Sequence, residues 1–169
     1  MNRCISLGLI SLLFSIGTMA QEPVESFGYR TMLKGLLSHS VSEISVDSLA
    51  TNYAQFTILD ARAQAEYKVS HLKGALHVGY DSFQLSRVAG IAKNDPIVVY
   101  CSVGYRSEKI AEKLQEAGYT QVFNLYGGIF EWLNQEKTIY TPQGGATLQI
   151  HPYNSIWGFW LNRGQKTYE

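Results

Sequence analysis

The chain has 169 residues, 14 basic and 14 acidic side chains, a formal net charge of zero and 46% apolar residues. That length suits one domain with a core of useful size. The even charge balance excludes the strong basic field that nucleic-acid binding needs.

Residues 1–20 carry one charged side chain, Arg3, then an apolar run from Ile5 to Ile16 and the small residues Gly17, Thr18 and Ala20. This is a secretory signal pattern, with cleavage expected after Ala20 and Gln21 as the mature N-terminus. The apolar run is short for an uncleaved membrane span, so no stable membrane insertion is expected after cleavage and the protein is expected to be periplasmic or extracellular. Cys4 leaves with the signal, so Cys101 remains without an intramolecular disulfide partner.

Residues 21–43 read as a helical extension, since Met32, Leu33, Leu36 and Leu37 recur at helical spacing within 24–42. A first strand is expected over 43–46, with Asp47 capping a short helix over 48–53. A second strand over 56–60 ends at Asp60, with Arg62 just beyond it, before a helical turn over 63–68 and a short strand over 73–78. The pattern then predicts a helix over 82–89, a central apolar strand over 96–100, a helix over 107–117 closed by Gly118, a strand over 121–125 and a helix over 129–135. Strands alternating with helices in this way predict an α/β fold, a parallel sheet with helices on both faces. Ligands of such sheets bind beyond the C-terminal ends of the strands, where Asp60 and Cys101 both fall. Residues 137–169 form a tail with a turn at Pro142-Gln143-Gly144-Gly145 and an aromatic cluster at Trp157, Phe159 and Trp160. Packing back on the domain is the leading reading of the tail, ahead of a partner interface and a membrane surface.

The central strand runs into Cys101-Ser102-Val103-Gly104-Tyr105-Arg106-Ser107 and then into a helix. A cysteine held just before a helix start meets unpaired backbone N–H groups and a partial positive charge, which favour the nucleophilic thiolate. Gly104 gives the loop its backbone freedom, and Arg106 adds a permanent cation. Four residues separate Cys101 from Arg106. So tight a ring of N–H groups suits a small anion such as a terminal sulfur better than a tetrahedral phosphate. The histidines His39, His71, His77 and His151 show no metal-ligand spacing, and no metal or cofactor is expected.

This loop resembles the Cys-x-x-Gly-x-Arg-Ser active-site loop of rhodanese-like sulfurtransferases. Three further segments resemble that family in the same order: Ile58-Leu59-Asp60-Ala61-Arg62 with Glu66-Tyr67, His71-Leu72-Lys73-Gly74-Ala75, and Gly127-Gly128-Ile129-Phe130-Glu131-Trp132. The resemblance covers residues 44–136 and implies a rhodanese-like fold with a sheet of about five strands. It further implies a sulfurtransferase in which Cys101 is catalytic, Ser102, Val103, Gly104, Tyr105, Arg106 and Ser107 bind the substrate, and Asp60 and Arg62 support the pocket floor. Asp60 and Arg62 are equally readable as an ion pair with each other or with Glu66, and His71 as a structural residue. The implied partners are a small sulfur-containing anion or protein persulfide as donor and a thiol as acceptor. Glu66 stands where thiosulfate enzymes of the family carry an arginine, so an acid near the donor makes thiosulfate a surrogate. Two other readings stay open: a binding or redox-sensing module on the same fold, and a small phosphatase or arsenate reductase, disfavoured by the short loop.

Overall fold

A computed structural model describes residues 24–168. The expected signal segment and its cleavage site lie outside the described residues.

The centre is a five-stranded sheet made of β1 (Ser42–Ile44), β2 (Thr57–Asp60), β3 (Leu76–His77), β4 (Ile97–Tyr100) and β5 (Val122–Leu125). Its order is β1-β5-β4-β2-β3, and every pairing is parallel. The α/β class and the parallel sheet therefore stand as expected. β4 is the middle strand and is buried along its whole length, which is why its sequence is an unbroken apolar run rather than an alternation.

Side chains still alternate between the two faces. Ile58, Val98, Tyr100 and Leu125 face a layer built by α1 (Phe27–Leu36), α2 (Val46–Thr51) and α5 (Gly128–Asn134). Leu59, Ile97, Val99 and Cys101 face the other way, onto Ile110, Ala111 and Leu114 of α4 (Tyr105–Glu116). Cys101 is thus fixed on the α4 face by the strand period.

Several boundaries move for local reasons. Helix α2 is capped by Ser45, whose hydroxyl accepts from the Ser48 N–H at 3.2 Å; Asp47 lies inside the first turn, where its charge favours the helix dipole. The strand before it ends at Ile44, earlier than expected, because the cap needs that serine. Over 82–89 only a short 3-10 turn forms, Leu85–Val88, with Val88 its one buried residue, so little apolar surface supports a longer helix. Helix α3 spans Gln64–Val69.

The tail forms a small antiparallel pair, β6 (Ile139–Tyr140) with β7 (Ala146–Thr147), and a parallel pair, β8 (Gln149–Ile150) with β9 (Gln165–Lys166), either side of α6 (Ser155–Gly158). Ile139, Ile150 and Leu161 join the core below α5. Asn134 fixes the end of this segment: its amide donates to the Trp160 carbonyl at 3.0 Å and its oxygen accepts from the Asn162 N–H at 2.8 Å. The Trp160 ring stacks on Tyr29 of α1 with centroids 5.5 Å apart. Among the described residues no helix is long and apolar enough to cross a membrane.

Candidate active site

The loop leaves β4 at Cys101 and enters α4 after only four residues. Gly104 has φ 121°, a backbone state that side-chain-bearing residues rarely adopt, and this sharp reversal starts the helix at Tyr105, two residues before the expected Ser107. Arg106 therefore sits in the first helical turn.

The loop's carbonyls are held from behind. Those of Cys101 and Ser102 accept from the N–H groups of Ile129 and Phe130, at 2.9 and 3.1 Å, in the first turn of α5. The Gly104 carbonyl accepts from the Asn124 amide at 3.0 Å, and Ser107 Oγ lies 3.0 Å from that carbonyl and 2.7 Å from Asn124 Oδ1. A trans peptide plane points its N–H opposite its carbonyl. The N–H groups of Ser102, Val103 and Tyr105 are accordingly turned away from α5 and Asn124, and the Gly104 N–H donates to Cys101 Sγ at 3.1 Å. Such a cluster of inward donors stabilises negative charge on a sulfur above the loop. The close approach of α5 requires Gly128: a Cβ there would lie 2.5 Å from both the Cys101 and Ser102 carbonyl oxygens, and its φ is +59°.

Arg106 meets a carboxylate. Its Nη1 and Nη2 donate to Glu66 Oε2 and Oε1 at 2.7 and 2.8 Å, and Nη2 also donates to Ser102 Oγ at 2.9 Å. The Ser102 hydroxyl in turn donates to Glu66 Oε1 at 2.9 Å. Burial by itself would push the Glu66 carboxyl up, but the Arg106 hydrogen bonds and charge outweigh it and hold the group below the usual carboxylate range. The opposing balance holds for Arg106, where burial works against the charge and Glu66 more than restores it. Glu66 thus lies beneath Arg106 and neutralises it, instead of facing a donor directly as the sequence suggested. Helix α3 holds Glu66 in place through a further bond from the Ala63 N–H to Oε2 at 2.9 Å.

Asp60 and Arg62 pair with each other. Both are fully buried, with Nη2 to Oδ2 at 2.6 Å, and the Tyr100 hydroxyl donates to the same Oδ2 at 2.5 Å. Arg62 Nη2 also donates to the Ser70 carbonyl at 2.6 Å, at the end of α3. The pair ties β2, β4 and α3 together and does not reach the cavity wall. His71 stacks on Tyr67 with centroids 4.1 Å apart and bridges by its backbone to Tyr140.

A cavity of ≈ 270 Å³ opens above the loop. Of the expected site residues, Cys101, Ser102, Val103, Tyr105 and Arg106 line it; Gly104 contributes its N–H, and Ser107 stays buried behind the loop. Sequence reasoning missed five wall residues, Ala63, Tyr80, Asp81, Tyr153 and Trp157. It also missed the supporting role of Asn124. A larger cleft, ≈ 750 Å³, lies beside β6 and β7 and contains no nucleophilic cysteine or histidine.

The chain matches the rhodanese-like domain over residues 45–135. A sulfurtransferase of Allochromatium vinosum is 32% identical over 107 residues, which cover 62% of this chain and 99% of that protein. The thiosulfate sulfurtransferase GlpE of Coxiella burnetii is 37% identical over 82 residues, covering 48% of this chain and 75% of GlpE. A tRNA uridine(34) hydroxylase of Bdellovibrio bacteriovorus is 30% identical over 103 residues, and the match spans only 29% of that protein's length. Among solved structures, the rhodanese-like domain of an Anabaena protein superposes with a TM-score of 0.55 at 23% identity, covering 60% of this chain and 80% of that one, a likeness of fold.

Proposed function

Because the chain belongs to the rhodanese-like domain family, we propose that it is a sulfurtransferase that carries sulfur as a persulfide on Cys101. The Cys101 thiolate attacks the outer sulfur of a donor, the bond between the donor's two sulfurs breaks, and its electron pair leaves with the remainder of the donor. The persulfide anion then lies against the loop donors until a thiol or cyanide attacks its outer sulfur and restores the thiolate. One observation carries this reading: the Gly104 N–H already points at Cys101 Sγ at 3.1 Å, in a loop where the carbonyls of Cys101, Ser102 and Gly104 are engaged from behind by Ile129, Phe130 and Asn124. Thiosulfate serves as a donor, as the names of related proteins suggest, and the expected compartment is periplasmic or extracellular.

The test is steady-state turnover of thiosulfate with cyanide alongside hydrolysis of an aryl phosphate. Thiocyanate formation by the native protein, absent in Cys101→Ser with an unchanged melting temperature, supports the reading. Phosphate release without thiocyanate formation favours the phosphatase reading, and neither activity leaves the binding-module reading.

A further inference from the structure

The wall of the cavity opposite the loop comes from the tail, far along the chain from Cys101. Tyr153 and Trp157 supply it. Their placement is built. The side chain of Asn154 caps α6 by accepting from the Trp157 N–H at 3.0 Å, and the Tyr153 N–H donates to His151 Nδ1 at 3.0 Å. Tyr153 itself holds φ 66°, a left-handed state that is uncommon for a bulky residue and persists only where its surroundings impose it. The result is a ring over the guanidinium of Arg106, 4.9 Å from Cζ to the centroid.

Charge and shape then point the same way. The cation lining the cavity, Arg106, has both terminal nitrogens engaged by Glu66, and the wall adds a carboxylate, Asp81. A doubly charged inorganic anion finds little surplus positive charge here. Tyr80, Tyr105, Tyr153 and Trp157 offer aromatic surface instead. The ≈ 270 Å³ of space is several times the share of about 30 Å³ that one water occupies, enough for a ring as well as the reacting sulfur.

We infer that Tyr153 and Trp157 set the donor specificity, selecting an organic sulfane-sulfur donor with a flat apolar body and at most one negative charge over inorganic thiosulfate. This rests on the sulfurtransferase reading. With an aryl thiosulfonate, the Cys101 thiolate takes the outer sulfur, the S–S bond breaks, and the electron pair departs on the aryl sulfinate; cyanide then removes the sulfur as thiocyanate and returns the thiolate. Charge is conserved at both steps. The ring of the donor packs between the tail aromatics, where offset or edge contacts add to its burial.

The experiment compares kcat/KM for benzenethiosulfonate and for thiosulfate, with cyanide as acceptor, in the full chain and in Tyr153→Ala, Tyr153→Phe and Trp157→Ala. The native protein is expected to prefer the aryl donor by about tenfold or more. Tyr153→Ala and Trp157→Ala should each reduce that preference by about tenfold, and Tyr153→Phe, which keeps the ring, should restore it. Tyr153 is half-exposed, so its variants keep the test open if Trp157→Ala fails to fold. Equal or better use of thiosulfate by the native protein overturns this inference and leaves sulfur transfer standing, as does a preference unmoved by Tyr153→Ala. Absence of turnover with both donors overturns the inference together with the sulfurtransferase reading.

Discussion

Glu66 and Arg106, 40 residues apart in the chain, meet with both oxygens facing both terminal nitrogens at 2.7 and 2.8 Å. The Ser102 hydroxyl joins them, so Ser102 and Arg106, either side of Gly104, are clamped to helix α3 by one carboxylate. The geometry is bidentate, which is the reason an arginine serves here where a lysine would not.

Removing one partner strands the other. Arg106→Ala leaves a buried carboxylate without its cation and is expected to cost about 3 kcal/mol or more at neutral pH, read by urea denaturation. The pH dependence separates this from lost packing. In the native protein the Glu66 carboxyl lies below its ordinary value, so its contribution is complete above that value and is lost as pH falls through the folded-state value. In Arg106→Ala the burial that raises the carboxyl is still opposed by the Arg62 charge and the Ala63 N–H but no longer by Arg106, so the variant should lose less stability on acidification than the native protein.

Gly128→Ala tests how the loop is held from behind. Its Cβ would collide with two carbonyl oxygens of the loop at 2.5 Å, and backbone cannot yield as a flexible side chain can. Displacing the loop misaims its N–H donors, and a loss of about 10²–10³ in turnover is expected. Gly35→Ala is the control: nothing lies within 4 Å of its added Cβ and it sits inside α1, so it should stabilise the protein by about 0.5–1 kcal/mol, read by thermal melting.

Much of this site follows from short-range patterns. The unbroken apolar run of β4, the glycine that reverses the chain after it and the paired glycines that open α5 all act within a few residues, so the strand, loop and helix could be read directly. The start of α4 was misplaced because nothing local reveals that Gly104 takes φ 121° and begins the helix at once. The partner of Arg106 was missed for a different reason. Glu66 meets it only because β2 and β4 lie side by side in the sheet, a pairing no periodicity encodes. Trp157 was read with the tail aromatics as packing on the domain, and Tyr153 was not singled out, since the path that returns both to the cavity depends on contacts of Asn134 and Tyr29 with the tail.

Glu131 supplies a second pH-dependent group, away from the chemistry. Its Oε1 accepts from the Glu25 N–H at 3.0 Å and the Gln135 amide at 2.8 Å, and its buried Oε2 has no hydrogen-bond partner among the described residues. Burial outweighs these bonds and raises the carboxyl. The folded state then binds more protons than the unfolded one, so stability falls as pH rises from the ordinary carboxylate value through the raised one. Glu131→Gln removes this loss. It should melt higher than the native protein at pH near 7, with the difference shrinking below about pH 4. A difference independent of pH in thermal scans would contradict this account.

The central claim is that sulfur passes through a persulfide on Cys101, and the mass of the protein reads it directly. Full chain treated with an organic or inorganic sulfane-sulfur donor and freed of excess should gain the mass of one sulfur atom, located by peptide mapping to Cys101. Cyanide should then remove that mass and release one equivalent of thiocyanate, and Cys101→Ser should gain nothing. A folded protein that keeps its original mass with every donor, while its Cys101 thiol is still open to alkylation, would contradict the account.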